Sequence, residues 1–303
     1  MLNAYSETKL IKGKLFCFGL GFTGEALAQD LIQNGWQVAG TSRTAEGAAR
    51  LQELGIEGFV FNRESPVDLF RDILPGCTHL LSSVPPDEAG DPVLDHHYSD
   101  LVTFGQHLKW TGYLSTTGVY GTRDGGWVDE TSERRPGSER SQRRKDAEDQ
   151  WLSLGQEVGF PVQLFRLAGI YGPGRSVFDQ IKAGRAKRVD RPGQVFSRIH
   201  VDDIVSVLKA SMAQPRGGAA YNVCDNEPAS PADVTGTACE MLGVPIPPLV
   251  PFEDAGLSSM AQSFWADNKR VRNSLIAEEL GVILKYPDYK AGLKALFDAE
   301  TQL

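Results

Sequence analysis

Apolar residues in the first half of the chain fall into short continuous runs separated by amphipathic stretches. Runs at Leu15–Phe18, Gln37–Gly40, Gly58–Phe61, His79–Ser83, Gly112–Thr116 and Val162–Leu167 have strand length. Several are apolar throughout, as strands buried on both faces are. The stretches near 23–34, 45–54, 95–109 and 139–157 have helical composition, and Gly35, after ALAQDLIQN, sits where a helix-ending glycine belongs. Strand–helix alternation predicts an α/β fold, a doubly wound parallel sheet covered by helices.

The rhythm changes after residue 171, where Pro and Gly become frequent (PGR, RPG, QPRGG, VPIPPLVP). Helices are expected near 201–212, 231–243 and 268–275, and AAYNVCD (219–225) has the pattern of one more strand. This organisation predicts a first domain over 1–171 and a smaller C-terminal substrate lobe over 172–303. About 200–225 of that lobe returns to the first domain's sheet. The charge-rich run from Glu133 to Asp149 has helical composition and is expected to keep one face solvated.

With 303 residues and 41% hydrophobic content, the chain is long enough to bury a full core. A net charge of -8 argues against a general nucleic-acid binder, which needs many phosphate-neutralising cations. No run of about eighteen apolar residues predicts a membrane span, and MLNAYSETKLIKGK lacks the apolar stretch of a signal peptide. Cys17, Cys77, Cys224 and Cys239 are scattered and form no CxxC, as expected of reduced thiols in a cytoplasmic protein.

The chemistry begins at KLFCFGLGFTG (14–24). A strand precedes its glycines, a helix follows, and a second strand comes next. Gly19 permits the tight turn, Gly21 lets backbone amides approach a pyrophosphate, and Gly24 lets the helix pack on the strand. Leu20, Phe22 and Thr23 fill the rest of the loop, and the helix N-terminus offers N–H groups and a positive dipole end to an anion. The end of the second strand usually selects the cofactor, an acid there binding the ribose hydroxyl of NAD. Here Ser42 stands eighteen residues after Gly24, followed by Arg43. That pair suits the extra phosphate of NADP through charge-assisted hydrogen bonds. NADP is the cofactor read from the sequence, with NAD as the alternative. Ser82, Ser83 and Val84, ending the fourth strand, are expected to line it.

YLSTTGVYG (113–121), LFRLAGIYGPGR (164–175), FSRIHVDDI (196–204) and the glycine loop go beyond the fold. In this order they resemble the extended and atypical short-chain dehydrogenase/reductase superfamily, nearest to its NAD(P)-dependent epimerase/dehydratase branch, over nearly the whole chain. The resemblance implies a Rossmann domain and a catalytic hydroxyl at Thr116, next to Ser115. It implies that backbone at Gly169 and Ile170 holds the nicotinamide carboxamide, and that the substrate is a small polar sugar, free or nucleotide-linked. It is also compatible with a homodimer through the helices near 95–109 and 139–157.

The resemblance further implies a Tyr and a Lys one helical turn apart, the Tyr as general acid/base and the Lys lowering its pKa. Counting 25 residues on from Thr116 reaches Ser141, with Lys145 four further. The Lys is kept and the Tyr is replaced by Ser141, and no Tyr lies between Tyr120 and Tyr171. Three readings follow: Tyr120 or Tyr171 supplies the proton, the reaction needs no such acid, or the protein is an NADP-binding sensor or scaffold without turnover.

Lys182, Arg185, Lys187, Arg188, Arg191 and Arg198 form a local basic run that could hold an anionic group of the substrate. A solvated basic loop is the competing reading, and Phe196 stands where the resemblance places an Arg. His200, Asp202 and Asp203 are expected to turn a strand into a helix, with an Asp as N-cap. His96 and His97, among Asp91, Asp95 and Asp100, are read as a solvated loop and helix start. No metal site is expected.

Overall fold

The computed structural model describes residues 12–301. Its main sheet has seven strands: β1 (Lys14–Phe18), β2 (Gln37–Ser42), β3 (Glu57–Val60), β4 (His79–Ser82), β5 (Trp110–Thr116), β6 (Val162–Leu167) and β7 (Ala220–Val223). Their order is β7-β6-β5-β4-β1-β2-β3. The pairs β1–β2, β2–β3, β1–β4 and β4–β5 are parallel. From β1 the chain winds outward through β2 and β3, then returns to β4 on the other side of β1. That reversal opens a crevice at the carboxyl end of β1, where doubly wound sheets bind ligands. The returning strand read from AAYNVCD is β7, at the sheet edge beside β6.

Helices between and after these strands include α1 (Phe22–Gln33), α2 (Ala45–Glu53), α3 (Pro92–Phe104), α4 (Glu139–Val158), α5 (Val201–Ala213), α6 (Pro231–Leu242), α7 (Ser259–Trp265) and α8 (Tyr289–Thr301). Gly35 follows α1 at φ +79° and donates its N–H to Ile32, ending the helix as expected. Asp91 starts α3 by accepting the N–H groups of Val93 and Leu94, and its other carboxylate oxygen accepts from the Trp151 indole at 3.0 Å. Among the described residues, no helix is long and apolar enough to cross a membrane.

The helix expected near 268–275 does not form. Arg270–Val271 instead pairs in parallel with Trp127–Val128, and a short helix begins only at Ser274. The Asn268 carbonyl accepts the N–H groups of Arg123 and Gly125, so long-range pairing takes the backbone groups a helix would have used. The charge-rich run is helical only from Glu139.

Two compact units interleave along the chain. The first comprises 1–114, 146–164 and 205–220; the second comprises 115–145, 165–204 and 221–303. Residue 171 falls inside the second. The first unit's core includes Phe16, Phe18 and Phe70, all fully buried, with ring centroids 4.9–5.1 Å apart in edge-to-face contacts. Burying each such ring is worth about 1.5–3 kcal/mol. His97 lies in this core with its ring 4.7 Å from Phe70. It is buried, not solvated as expected. Its Nε2 accepts the Val67 N–H and its Nδ1 donates to Asp100, while burial depresses its pKa and keeps it neutral.

Candidate functional site

In the first unit, the loop after β1 has the geometry of a phosphate cradle. Gly19 is at φ +81°, and a Cβ there would lie 3.0 Å from the Val84 side chain. Its N–H donates to the Thr41 hydroxyl at 2.8 Å, and the Leu20 N–H donates to the Thr41 carbonyl at 2.9 Å. These two bonds fix the turn. Among the described residues, nothing lies within 4 Å of the place a Gly21 Cβ would take, so that flank is open. Gly21 is also the N-cap of α1 and offers its first turn no side-chain acceptor. A Cβ on Gly24 would meet Cys17, the Gly19 carbonyl and Leu20 at 3.3 Å each, so helix and strand approach as closely as glycine allows. Phe22 and Thr23 form the first helical residues, with Thr23 buried.

Ser42 ends β2 and packs against α2, its hydroxyl 2.0 Å from where a Gly47 Cβ would stand. Arg43 is exposed, and among the described residues no carboxylate pairs with its guanidinium. Its carbonyl is anchored by the Asn62 amide at 3.2 Å. Ser82 is fully buried with no hydrogen-bond partner for its hydroxyl among the described residues, the Ser83 N–H donates to the Phe18 carbonyl, and Val84 faces Gly19. Sequence reasoning missed Arg63. It grips Asp87 with two bonds of 2.6 and 2.7 Å, pairs with Asp95, and reaches the Gly90 carbonyl at 3.0 Å. That clamp fixes the segment following Val84. Its only trace in the sequence is an Arg and two Asp on separate segments, which no spacing rule connects.

The second unit encloses a cavity of about 720 Å³. Thr116, Gly118, Ser141, Gly169 and Ile170 all line it. Thr116 accepts the Gly118 N–H at 3.1 Å, capping the turn that follows β5. Ser141, in the first turn of α4, comes up against that turn and accepts a hydrogen bond from Ser138 at 3.1 Å. Gly169 opens a short strand, Gly169–Tyr171, pairing with Arg198–His200. Lys145 lies one turn beyond Ser141, half-buried, and is not part of the cavity wall.

Neither tyrosine named as a substitute donor is placed for that role. Tyr120 is fully buried, donates to Asn222 and accepts from Arg166, both at 2.8 Å. Burial pushes its phenol up to about 12. Tyr171 lines the cavity, but among the described residues its buried hydroxyl has no partner, and it lies against Gly292. Burial and the nearby Asp225, Asp203 and Asp288 raise its pKa further.

The basic run is largely consumed by structure. Lys182 pairs with Glu300, Lys187 donates to Ala255, Arg188 to Ala232 and Pro247, and Arg191 to Trp265. Of the run, only Arg198 lines the cavity, and its guanidinium ties Phe196 and Ala229 carbonyls at 2.8 and 2.9 Å. Lys182, Arg185 and Lys187 are exposed, while Lys187, Arg188, Arg191 and Arg198 donate to backbone carbonyls. Asp203 does not cap its own helix. Its two oxygens accept the N–H groups of Lys285 and Tyr286. His200 Nδ1 accepts the Asp202 N–H at 3.2 Å. Among the described residues, no group of three or more His, Cys, Asp or Glu is placed to hold a metal ion.

No protein-family model matches the chain. It is 47% identical to a conserved protein of unknown function from Silicibacter pomeroyi DSS, covering 96% of this chain and 100% of that one with a TM-score of 0.88. It is 29% identical over 286 residues to protein YeeZ of Escherichia coli K12, covering 91% of this chain and 97% of the other. It superposes with a TM-score of 0.75 on dTDP-glucose 4,6-dehydratase of Bacillus anthracis in complex with NAD, at 17% identity over 96% of this chain and 97% of that one. The chain therefore belongs with the Silicibacter pomeroyi protein to one conserved group, built on the fold of the NAD-dependent epimerases and dehydratases of the extended short-chain dehydrogenase/reductase superfamily.

Proposed function

We propose that this protein is an NADP-dependent oxidoreductase or epimerase/dehydratase of the extended short-chain type, acting on a small polar sugar, free or nucleotide-linked. The observation that carries the reading is the cradle: a tight Gly19 turn held by Thr41, an open flank at Gly21, and a helix start without a side-chain cap. These features fit a dinucleotide pyrophosphate. Arg43, exposed and without a carboxylate partner among the described residues, supports NADP over NAD, the cofactor in the Bacillus anthracis complex.

A bound nicotinamide supplies a hydride acceptor or donor. The chain's own residues bind and orient the rest. Thr116 and Ser141 present hydroxyls to the same cavity as Gly169 and Ile170 and would hydrogen-bond a substrate hydroxyl or carbonyl. Lys145, on the same helix, is assigned to the nicotinamide ribose. Ser141 is no substitute for a phenol as a proton donor. It is a weaker acid and carries its hydroxyl on a single carbon, so the residues support positioning more directly than proton transfer.

The second reading, an NADP-binding sensor without turnover, is favoured by Ser141 together with the buried, fully engaged Tyr120. Titration calorimetry with NADPH, NADP, NADH and NAD tests the cradle. Hydride exchange from labelled NADPH into carbonyl substrates then separates the two readings. Tight binding without exchange across a broad sugar panel supports the sensor, and absence of binding by all four nucleotides sinks both.

A further inference from the structure

The cavity of the second unit is basic although the protein is acidic overall. Its walls carry Arg140, Arg144, Arg175, Arg198 and Lys269 against Asp179 and Asp267. Both acids are engaged. Asp179 accepts from the Ser176 hydroxyl and N–H, and Asp267 pairs with Lys269 at 3.1 Å. Arg198 is committed to carbonyls, as described above.

Arg140 stands apart from these. Its guanidinium stacks on the Phe264 ring at 4.9 Å, and among the described residues no carboxylate pairs with it. Arg144 lies one turn further along α4 and also faces the cavity. Like charges four residues apart destabilise a helix. The Arg140 pKa is lowered by burial and by Arg144. The third arginine of this turn, Arg143, behaves as a surface residue should. It pairs with Glu139 at 3.3 Å and is not part of this cavity wall. Two cations have therefore been directed inward, flanking Ser141 in sequence, with Ser138 beside it as a further hydroxyl.

We infer that Arg140 and Arg144 form an oxyanion subsite, and that the substrate carries a carboxylate or phosphate next to its reacting carbon. The anion would sit against α4 at Ser141, beside the Thr116–Gly118 turn. Guanidinium donors match the planar or tetrahedral oxygens of such groups. Phe264 holds the Arg140 plane in place. This deepens the proposed function, since the reacting carbon is defined only if Thr116 and Ser141 orient substrate.

The test is calorimetric titration of the full chain with D-glucose 6-phosphate, D-glucuronate and D-glucose, alongside NADPH. The expected result is binding of at least one anionic sugar and none of D-glucose, the stronger arm identifying phosphate or carboxylate. R140Q/R144Q should weaken that binding by about tenfold or more for each guanidinium removed. Arg143→Gln should leave it unchanged. Arg140→Met keeps an aliphatic stem on Phe264 and serves where the double variant does not fold. Equal binding of D-glucose, no binding of either anion, or unchanged affinity in a folded Arg140 variant overturns the subsite. NADPH affinity reports separately. Arginine-dependent anion binding without NADPH binding overturns the oxidoreductase reading alone, and the converse overturns the subsite alone.

Discussion

Ser141 stands against Gly118: a Cβ on Gly118 would lie 3.0 Å from the Ser141 hydroxyl. The helix position where the family resemblance requires a phenol thus faces the turn capped by Thr116. Ser141→Tyr would send a ring past Gly118 into the cavity. The variant is expected to fold and to keep NADPH affinity within about threefold, because no cradle contact changes. Calorimetry checks this, and loss of all NADPH affinity in a folded variant would mean that α4 is assigned wrongly.

Arg43→Ala is expected to weaken NADPH binding by about tenfold or more and NADH binding by less than about twofold. Loss of a charged hydrogen-bond partner of phosphate costs about 1.5–3 kcal/mol, and NADH has no such phosphate. Parallel titrations of the two nucleotides check it. An equal loss for both would remove the phosphate role from Arg43.

Gly40→Ala should destabilise the first unit sharply. A Cβ at Gly40 would lie 2.4 Å from Leu20 and 2.6 Å from the Cys17 carbonyl. Backbone cannot yield as a side-chain tip can, so the cost is about 1–3 kcal/mol or more. Urea denaturation followed by circular dichroism measures it. A midpoint equal to that of the unaltered chain would contradict the strand spacing at the cradle.

Asp225 gives the protein a pH signature. It is buried beside Arg198, among the described residues neither of its carboxylate oxygens closes a hydrogen bond of good geometry, and burial pushes its pKa up to about 7 despite the arginine. Its folded-state pKa therefore lies above its ordinary 3.8. Between these values the folded protein holds a proton that the unfolded chain releases, so stability falls as pH rises from about 4 to about 7 and is flat beyond. The span is worth at most about 4 kcal/mol. Asp225→Asn should abolish this fall and be more stable than the unaltered chain at pH 8, as thermal unfolding across pH will show. An unchanged pH profile in Asp225→Asn would sink this assignment.

Much of the fold was legible because its strands are apolar runs and its helices end in local signals such as Gly35. The glycine turn was legible for the same reason: Gly19, Gly21 and Gly24 are fixed by backbone spacing, and spacing is what a sequence displays. The Arg63 clamp, the buried Tyr120–Arg166–Asn222 contact and the diversion of Arg188 and Arg191 to carbonyls were not, because each joins segments far apart in the chain. Local composition also misled at 268–275, where pairing with Trp127–Val128 overrode helical propensity. The inward turn of Arg140 and Arg144 was hidden in a run of charges whose polarity alone says only that it is wet.

Against the tyrosine that the family resemblance implies, Ser141 differs in shape as well as acidity. A phenol projecting from α4 would occupy a ring's thickness of the cavity and shield the helix behind it. With Ser141 that volume is vacant, and the first turn of α4 becomes floor instead of wall. On the proposed sugar reading, Ser141→Tyr should narrow the range of sugars bound even where it leaves nucleotide affinity untouched.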